Sequence, residues 1–434
     1  LYALRSFGCE GGTNMLIPAL EWAMDPNDDD DLSDHLDVVN LSLGSEYGTP
    51  DDPDSEAVDR AVAAGVIVVA AAGNEGDGYF ITSSPGVADG AISVASVGDS
   101  GNLIYTLNVN SPPDLGSTNV QPAAFGPPIA GNELTGDLVR ANPARGCTPF
   151  SNVSEMAGKI ALVDRGDCYF TVKVKNAQLA GAVAALIANN EDGGLRMIGY
   201  DASITIPSAS LTRADGSSLK DRLPNPGVNV TIVKDAFADV ISDFSSRGPR
   251  RGDLALKPDL AAPGTEITSI AAGPGDGSAD MGGTSMATPH VAGAAALLRG
   301  LHPQWPPRWI KAALMNTARP EVFTRTNLTP PVVGPGRMGA GRLDAARAAR
   351  TPLLAFADDG TQRVSLSFGL VDVLGHAEVE RPVRVVNTGS TDAVLTLAVT
   401  PIADLQGAEL VLPDGGTLLV PAASERTFAA RLVL

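Results

Sequence analysis

Short apolar segments that alternate with helical ones constrain the fold of this chain more than any other feature. The run Val66–Ala71 is apolar at every position, and Val38–Leu43 is predicted as a second buried strand, with the helical stretch Glu56–Ala64 between them. A strand with one exposed face alternates apolar and polar residues, whereas an uninterrupted apolar strand is typical of a parallel sheet covered on both faces. We therefore predict an α/β fold in which helices pack on both faces of a parallel sheet.

Ser285 is the strongest candidate for a chemical role. It follows the glycine pair Gly282 and Gly283 and precedes the apolar run Val291–Leu298, which is predicted as a buried helix. The first N–H groups of a helix have no partners inside it, and they stabilise negative charge that develops nearby. The serine is thus a candidate nucleophile, and a simple glycine–serine turn before a core helix is the alternative interpretation.

The eleven residues Gly283–Gly293 resemble the serine motif of the subtilisin-like serine proteases, the subtilases. Three further segments resemble later blocks of that family: Asp243–Pro249, Lys257–Gly264 and Gly339–Ala345. The resemblance implies a subtilisin-like parallel sheet and a serine endopeptidase that forms an acyl-enzyme on Ser285. That chemistry requires no cofactor.

The stretch Val68–Gly76 resembles the subtilase segment whose asparagine donates to the tetrahedral oxyanion, a role that Asn74 would take here. Alternatively, Asn74 only tolerates the turn between Gly73 and Gly76. Two strand ends would bind the substrate backbone and line the pocket before the scissile bond, namely Ser42, Leu43, Gly44, Ala71, Ala72 and Gly73. Because every peptide offers a backbone for pairing, broad specificity is expected.

A serine nucleophile needs a base and an orienting carboxylate, and neither is recognisable in this chain. In subtilases an aspartate motif and a histidine motif precede the serine motif. Leu1–Gly8 resembles the strand that follows the family's histidine helix, so we expect an N-terminally incomplete subtilase that is inactive by itself. His290 lies five positions along a helix from Ser285 and is expected to be structural. No histidine has the family's context, whether His35, His290, His302 or His376.

Residues 105–235 are predicted to form an insertion that splits the α/β domain into 1–104 and 236–350. The segments Gly158–Cys168, Lys173–Gln178 and Ile204–Pro207 resemble the protease-associated (PA) domain. The resemblance implies a small mixed α/β domain that gates or selects protein substrates. It also implies a disulfide between Cys147 and Cys168, with Cys9 left single.

From Thr351 onwards the pattern changes to a period of two, which is typical of a β-sandwich. Strands are predicted at Val364–Phe368, Val383–Val386 and Val394–Val399, with a turn at Asn387–Ser390. The segment 351–434 is similar to the fibronectin-III-like domain that follows many subtilases with PA insertions. It stops within a predicted strand, so the domain is expected to be truncated.

The charge balance restricts the partners. Acidic residues number 50 and basic residues 31, and the net charge of −19 disfavours a nucleic-acid partner. No apolar run reaches the roughly 18 residues of a membrane span. One acidic loop carries oxygen ligands at every second residue, as calcium loops do, although it lacks the glycine and the glutamate of an EF-hand. We predict a structural calcium site there, with a solvated loop as the alternative, at Asp25, Asn27, Asp29 and Asp31.

The sequence therefore predicts a secreted serine endopeptidase, or one of the cell envelope, that acts on proteins or peptides. A non-catalytic protein that retains only the peptide cleft and the PA surface is the alternative. A receptor that uses only its PA domain is a third possibility, but such a receptor has no reason to keep the sequence contexts of Ser285 and Asn74.

Overall fold

A computed structural model describes residues 1–8, 12–98, 103–191, 195, 197, 199–223, 227–236, 238–273, 275–324, 332–402, 407–413 and 416–434. The chain forms two compact units, of which one comprises residues 1–99 and 238–434 and the other residues 100–237. Cys9, predicted to be single, lies outside the described residues. Within the ranges given, no helix combines the length and the apolarity that crossing a membrane requires.

The α-helices of the described ranges are α1 (Leu16–Met24), α2 (Pro53–Ala64), α3 (Val153–Met156), α4 (Phe170–Leu179), α5 (Arg213–Asp221), α6 (Thr284–Leu301), α7 (Pro307–Asn316), α8 (Pro335–Met338) and α9 (Ala345–Ala348). The strands are β1 (Val38–Leu41), β2 (Ile67–Ala71), β3 (Ile92–Val97), β4 (Leu103–Ser111), β5 (Ser117–Pro122), β6 (Glu133–Arg140), β7 (Ile160–Asp164), β8 (Ala184–Ala188), β9 (Ser208–Leu211), β10 (Val228–Ala236), β11 (Leu260–Pro263), β12 (Ile267–Ile270), β13 (Ser278–Met281), β14 (Leu353–Ala357), β15 (Glu378–Asn387), β16 (Ala393–Thr396), β17 (Glu409–Val411), β18 (Thr417–Val420) and β19 (Ser424–Val433).

The first unit contains the predicted parallel sheet, which has the strand order β1-β2-β3-β11. The register pairs Leu41 of β1 with Ala70 of β2, and Ala71 of β2 with Val94 of β3. Since the strands are parallel, the residues that follow β1 and β2 meet at one edge of the sheet. The mixed α/β architecture with a parallel sheet is thereby confirmed.

Helices cover both faces of the sheet, and alternate residues of its strands pack in two separate cores. Ile67 and Val69 of β2 pack in one core with residues of α6 and α7. Val68 and Ala70 pack in the other core with residues of α1 and α2. This alternation explains the uninterrupted apolar run, because both sets of side chains are buried.

Local sequence signals set the bounds of α2. The Asp52 carboxylate accepts a hydrogen bond from the Ser55 N–H at 2.9 Å and caps the helix, and Pro53 occupies its first turn. The helix ends at Gly65, whose φ of 116° is a left-handed conformation that favours glycine. The chain then enters β2.

The second unit is a closed barrel with the strand order β10-β4-β5-β9-β8-β7-β6. Strands β6 to β9 pair in parallel in the order β6-β7-β8-β9, and the other pairs are antiparallel. The predicted insertion limits of 105 and 235 lie slightly inside this barrel. The register joins Leu103 to Ala236, so the limits belong outside that pair.

Cys147 and Cys168 form a disulfide in the second unit, with their Cα atoms 5.7 Å apart. Lys173 of α4 lies beneath it with no exposed surface, and its ammonium donates to the carbonyls of Arg145 and Gly166. Burial lowers the pKa of Lys173, and the nearby carboxylate of Asp167 only partly opposes this effect. The lysine thus joins the two loops that carry the cysteines.

The C-terminal segment forms an antiparallel sheet of order β14-β15-β19-β17 and a two-stranded sheet of β16 and β18. The predicted strand Val383–Val386 lies in β15, and the predicted strand Val394–Val399 stops at Thr396. The prediction of a strand at Val364–Phe368 is wrong. Val364 is buried in the core of the α/β sheet, and its carbonyl accepts a single hydrogen bond, from the Ala357 N–H at 3.1 Å. Packing rather than strand pairing accounts for the alternating pattern.

A buried ion cluster lies at the N-terminal ends of β3 and β11. Both oxygens of Asp259 are used, one 2.8 Å from the Lys257 ammonium and the other 3.2 Å from the Lys311 ammonium. Each lysine also donates to two backbone carbonyls, and the Ser93 N–H donates to the carboxylate at 2.8 Å. Burial raises the pKa of Asp259, but the charges of the two lysines outweigh it and hold that pKa below its usual value. Burial lowers the pKa of Lys311 to about 8.

Candidate active site

Ser285 is the second residue of α6 and is half-buried at the edge where the sheet strands end. The helix is held in place by its buried face, on which Ala287, Val291 and Leu298 pack in the same core as β2, β3 and β11. The hydroxyl is therefore carried by a helix that is packed in the core of the sheet, at the end that exposes unpaired N–H groups.

Asn74 lies directly beside this helix start, although 210 positions separate it from Thr284. Its Oδ1 atom is 2.8 Å from the Thr284 backbone N–H. Since an N–H only donates, the atom that faces it must be the amide oxygen, and the NH2 group of Asn74 points the other way. That NH2 group has no hydrogen-bond partner among the described residues, and the side chain is exposed.

Thr284 contacts the Asn74 amide, and sequence reasoning did not select it. Its hydroxyl lies 3.0 Å from Asn74 Oδ1 and 3.2 Å from the Gly73 carbonyl oxygen, and the Gly73 N–H lies 3.3 Å from it. The threonine thus orients the amide from two directions. The only sequence signal was its place directly before Ser285 in the serine motif.

The Asn74 amide and the Ser285 backbone nitrogen lie on the same side of Gly283. A Cβ atom added at Gly283 would lie 3.6 Å from Asn74 Oδ1, 3.7 Å from Asn74 Nδ2 and 3.6 Å from Ser285 N. The next two N–H groups, of Met286 and Ala287, donate to the Gly283 carbonyl. The Ser285 N–H has no acceptor in the part of the chain that the structure describes. Two free donors beside a hydroxyl form an arrangement that can bind an oxyanion.

The residues predicted to bind substrate lie at the same edge of the sheet. Ser42 follows β1, and its carbonyl accepts a hydrogen bond from the Ser285 hydroxyl at 3.2 Å. Leu43 is half-buried against the core of α1 and α2. Gly44 has no room for a side chain, because a Cβ atom there would lie 2.8 Å from the Ser84 carbonyl oxygen.

The second predicted binding segment, residues 71–73, lies at the end of β2. The Ala72 N–H donates to the Val94 carbonyl at 3.0 Å, and the Ala72 carbonyl accepts from Ser83 N–H at 2.9 Å. A Cβ atom at Gly73 would collide with Glu75, Ser83 and Ser246. These three polar side chains crowd the turn after Ala71, and the Ser246 hydroxyl donates to Glu75 at 2.6 Å. Sequence reasoning had not selected them.

Each of the four histidines has another partner. His290 Nδ1 lies 2.8 Å from the Met286 carbonyl of its own helix, and His35 Nδ1 lies 3.0 Å from the Leu36 carbonyl. His302 stacks on Trp305, and His376 contacts Glu378. No hydrogen bond joins any of them to Ser285 in the described ranges.

The acidic loop after α1 uses its carboxylates within itself. The Asp25 carboxylate accepts from the N–H groups of Asp29 and Asp30, and Asp29 accepts from the Asp31 N–H. Asp31 accepts from Ser33, and Asn27 is exposed. Across the described residues, no three His, Cys, Asp or Glu side chains are grouped as a metal site would need. Calcium binding at this loop stays a prediction.

Comparison with known families shows which family this chain belongs to. The sequence profile of the subtilase family, peptidase S8, matches residues 1–369. The chain belongs to the subtilase family. The match runs past the predicted limit at residue 350, and it includes β14, whose Leu354 and Phe356 pack in the core of the α/β sheet.

Named proteases are similar to this subtilase. The minor extracellular protease Vpr of Bacillus subtilis is 33% identical over 325 residues, which are 73% of this chain and 38% of Vpr. The PI-type proteinase of Lactococcus lactis subsp. cremoris is 29% identical over 413 residues, or 82% of this chain and 21% of the proteinase. The C5a peptidase of Streptococcus pyogenes is 30% identical over 357 residues, or 75% and 29%. The chain thus spans less than two fifths of each of these relatives.

Proposed function

We propose that the protein containing this chain is a secreted serine endopeptidase in which Ser285 attacks the scissile carbonyl of a protein or peptide substrate. The observation that supports this most is the hydrogen bond of 2.8 Å from Thr284 N–H to Asn74 Oδ1. It leaves the Asn74 NH2 group free beside the free Ser285 N–H. In an acyl transfer the carbonyl oxygen becomes negative as the serine adds, and these two donors would bind it.

Activation of Ser285 is proposed to come from groups outside this chain of 434 residues. When Oγ bonds to the carbonyl carbon, its proton has to move to a base, and the present acceptor, the Ser42 carbonyl, is too weak to take it. We propose that a histidine base and an orienting aspartate, as in other subtilases, lie elsewhere in the full-length protein. In subtilisin, loss of these groups lowers kcat by about 10⁶, so the chain alone should be inactive.

Substrate would bind along the two strand ends. The Ser42 carbonyl is offered at the edge of the sheet, and a substrate N–H could replace the Ser285 hydroxyl there once the hydroxyl turns to its base. Ser42, Leu43 and Gly44 would pair with the substrate backbone, and Ala71, Ala72 and Gly73 would line the pocket for the residue before the scissile bond. Backbone pairing predicts broad specificity.

The barrel of residues 100–237 is proposed to be a PA domain that selects protein substrates. Deleting residues 105–235 from the full-length enzyme should then change its preference among large proteins more than its hydrolysis of a short peptide. Equal losses on both substrates would contradict this role. The disulfide of this unit favours an oxidising, extracellular compartment, and the similar Vpr is named an extracellular protease.

An activity-based fluorophosphonate probe tests the central proposal. The full-length protein should be labelled rapidly, and the Ser285→Ala variant should not. Asn74→Asp keeps the oxygen that faces Thr284 but removes the NH2 group, so kcat should fall by about 10²- to 10³-fold with little change in KM. The 434-residue chain should remain unlabelled.

Two results would overturn this proposal. Labelling of the isolated chain at Ser285 would show that a base is recruited from inside it. An unlabelled full-length protein that still binds peptides would favour the alternative function, a non-catalytic binding protein, which the bond between the Ser285 hydroxyl and the Ser42 carbonyl also permits.

A further inference from the structure

The backbone carbonyl of Ser285 lacks its usual helical partner. In a regular α-helix this carbonyl would accept a hydrogen bond from the N–H of residue 289. Residue 289 is a proline inside α6, and proline has no N–H. Its ring also crowds the carbonyl four residues earlier, which here is that of Ser285. The proposed nucleophile therefore needs a donor from outside its own helix.

Ser42 supplies that donor. Its hydroxyl donates to the Ser285 carbonyl oxygen at 2.7 Å, and the direction is certain because a carbonyl only accepts. Asn40 Nδ2 lies 3.0 Å from the same hydroxyl oxygen. Since the hydroxyl proton is committed to Ser285, the Asn40 NH2 group must be the donor to Ser42. A chain of two hydrogen bonds thus runs from β1 to the start of α6.

The bond between the two serines is reciprocal. The Ser285 hydroxyl donates to the Ser42 carbonyl at 3.2 Å, while the Ser42 hydroxyl donates to the Ser285 carbonyl. Only the first of these bonds is lost when the nucleophile turns to its base. The second continues to hold the backbone of Ser285 against the end of β1 during the reaction.

These polar groups do not need one another as hydrogen-bond partners, because water could satisfy them. Asn40 and Ser42 are exposed, so water could hydrate both side chains and the carbonyl if no position had to be fixed. A direct bond instead sets the distance between α6 and β1 at the residue whose hydroxyl must meet the substrate carbonyl. Small displacements of a reacting group lower the rate strongly.

We propose that Ser42, oriented by Asn40, is a positioning residue that replaces the hydrogen bond removed by Pro289 and thereby fixes the backbone of the nucleophile. This role belongs to the Ser42 side chain and is separate from the substrate contact of its carbonyl. The inference rests on the proposed serine protease function.

The kinetic test uses the full-length protein. Ser42→Ala should lower kcat on the order of 10- to 100-fold with KM nearly unchanged, and Ser42→Thr, which keeps a hydroxyl, should recover much of the rate. Asn40→Asp should resemble Ser42→Ala, because a carboxylate would accept the Ser42 proton and divert it from Ser285. Unchanged kcat in both Ser42→Ala and Asn40→Asp would overturn the proposal.

Pro289→Ala gives the decisive control, because alanine restores the N–H that the Ser285 carbonyl lacks. The loss of kcat caused by Ser42→Ala should be much smaller in the Pro289→Ala background than in the wild type. An equal loss in both backgrounds would show that Ser42 acts in some other way. If the wild-type protein neither cleaves peptides nor reacts with the fluorophosphonate, the proposed function itself has failed.

A second readout needs no activity. In the 434-residue chain, hydrogen exchange at the amides of Met286, Ala287 and Thr288 should become about fivefold faster in Ser42→Ala, the change expected when one hydrogen bond is lost. Adding Pro289→Ala should reverse most of the increase. Exchange rates that do not respond to Ser42→Ala would contradict the structural part of the proposal even in an inactive protein.

Discussion

The two ends of the parallel sheet differ in how their polar groups are paired. At the N-terminal ends of β3 and β11, two buried lysines have three hydrogen-bond acceptors each. At the C-terminal ends of β1 and β2, two N–H donors have no acceptor among the described residues. The Asp259 cluster is closed, with Lys257 and Lys311 both bound to the carboxylate and to backbone carbonyls. The Asn74 NH2 group and the Ser285 N–H remain without a partner among the described residues, at an edge of the sheet where Asn74 is exposed.

The difference separates structural polar groups from functional ones. A buried group without a partner costs free energy, so a cluster inside the protein is stable only when it is complete. A group that will bind a transient charge must be oriented but unpaired, and solvent exposure makes this tolerable. Substitutions at the two ends of the sheet should therefore differ mainly in whether they affect stability or catalysis.

The largest expected effect on stability is that of Asp259→Asn. It leaves two buried ammonium groups without a countercharge and should lower the free energy of unfolding by about 3–5 kcal/mol, measured by urea denaturation. Lys311→Met should cost less, because Asp259 keeps Lys257 and one of the two like charges disappears.

Glu56→Gln is the matched control for the Asp259 variant. Glu56 pairs with Arg60 at 3.6 Å, and both side chains are more than half exposed, at 55% and 62%. Its removal should change the free energy of unfolding by less than about 0.5 kcal/mol. Similar small changes for Asp259→Asn and Glu56→Gln would contradict the view that the cluster is structural.

A smaller effect is expected at the open end of the sheet. Asn74→Ala removes the acceptor of the Thr284 N–H and should lower the free energy of unfolding by about 1 kcal/mol. Asn74→Asp keeps an oxygen there and places a negative charge at a helix N-terminus, so stability should be retained. Thermal unfolding of the isolated chain checks both. If aspartate destabilises as much as alanine, the amide oxygen is not what Asn74 contributes.

Part of the acid dependence of stability should come from Asp253, which pairs with the buried Arg250 at 2.7 Å. Burial raises the pKa of Asp253, but the hydrogen bonds from Arg250 outweigh it and lower the pKa to about 2, against 3.8 in the unfolded chain. Between these two pH values the unfolded chain binds more protons, so the contribution of Asp253 to stability is complete above about pH 4 and falls as the pH drops towards 2.

Asp253→Asn tests this acid dependence. Because 42% of the Asp253 side chain is exposed, its contribution should be below about 1 kcal/mol. The unfolding temperature of the wild type should fall more steeply from pH 4 to pH 2 than that of Asp253→Asn. Parallel curves for the two proteins would assign the acid sensitivity to other carboxylates.

The smallest effect is expected from calcium. With a dissociation constant on the order of 1 mM, a site at the acidic loop would add about 0.4 kcal/mol at 1 mM calcium. A calcium-dependent rise of the unfolding temperature that disappears in Asp29→Ala would support the predicted site. No shift, or a shift that persists in Asp29→Ala, would leave the loop as a solvated turn.

Much of the fold and part of the site followed from the sequence, since their signals are local. The uninterrupted apolar run at β2 predicted a strand buried on both faces, and the serine motif predicted Ser285 at the start of a helix. Asn74 was found in the same way, from the residues on either side of it. Such patterns are short, and neighbouring positions are enough to express them.

Only the tertiary structure decided which distant residues meet. Val364–Phe368 has a strand-like pattern, but Val364 packs in the α/β core and Leu366 packs in the core of the C-terminal sheets, so the pattern did not report pairing. Lys311 joins Asp259 from 52 positions away, a separation that no motif spans. The oxygen of Asn74 faces Thr284, and the hydroxyl of Ser42 replaces the donor that Pro289 lacks. Such contacts depend on strand register and helix packing, which arise only when distant parts of the chain close on one another.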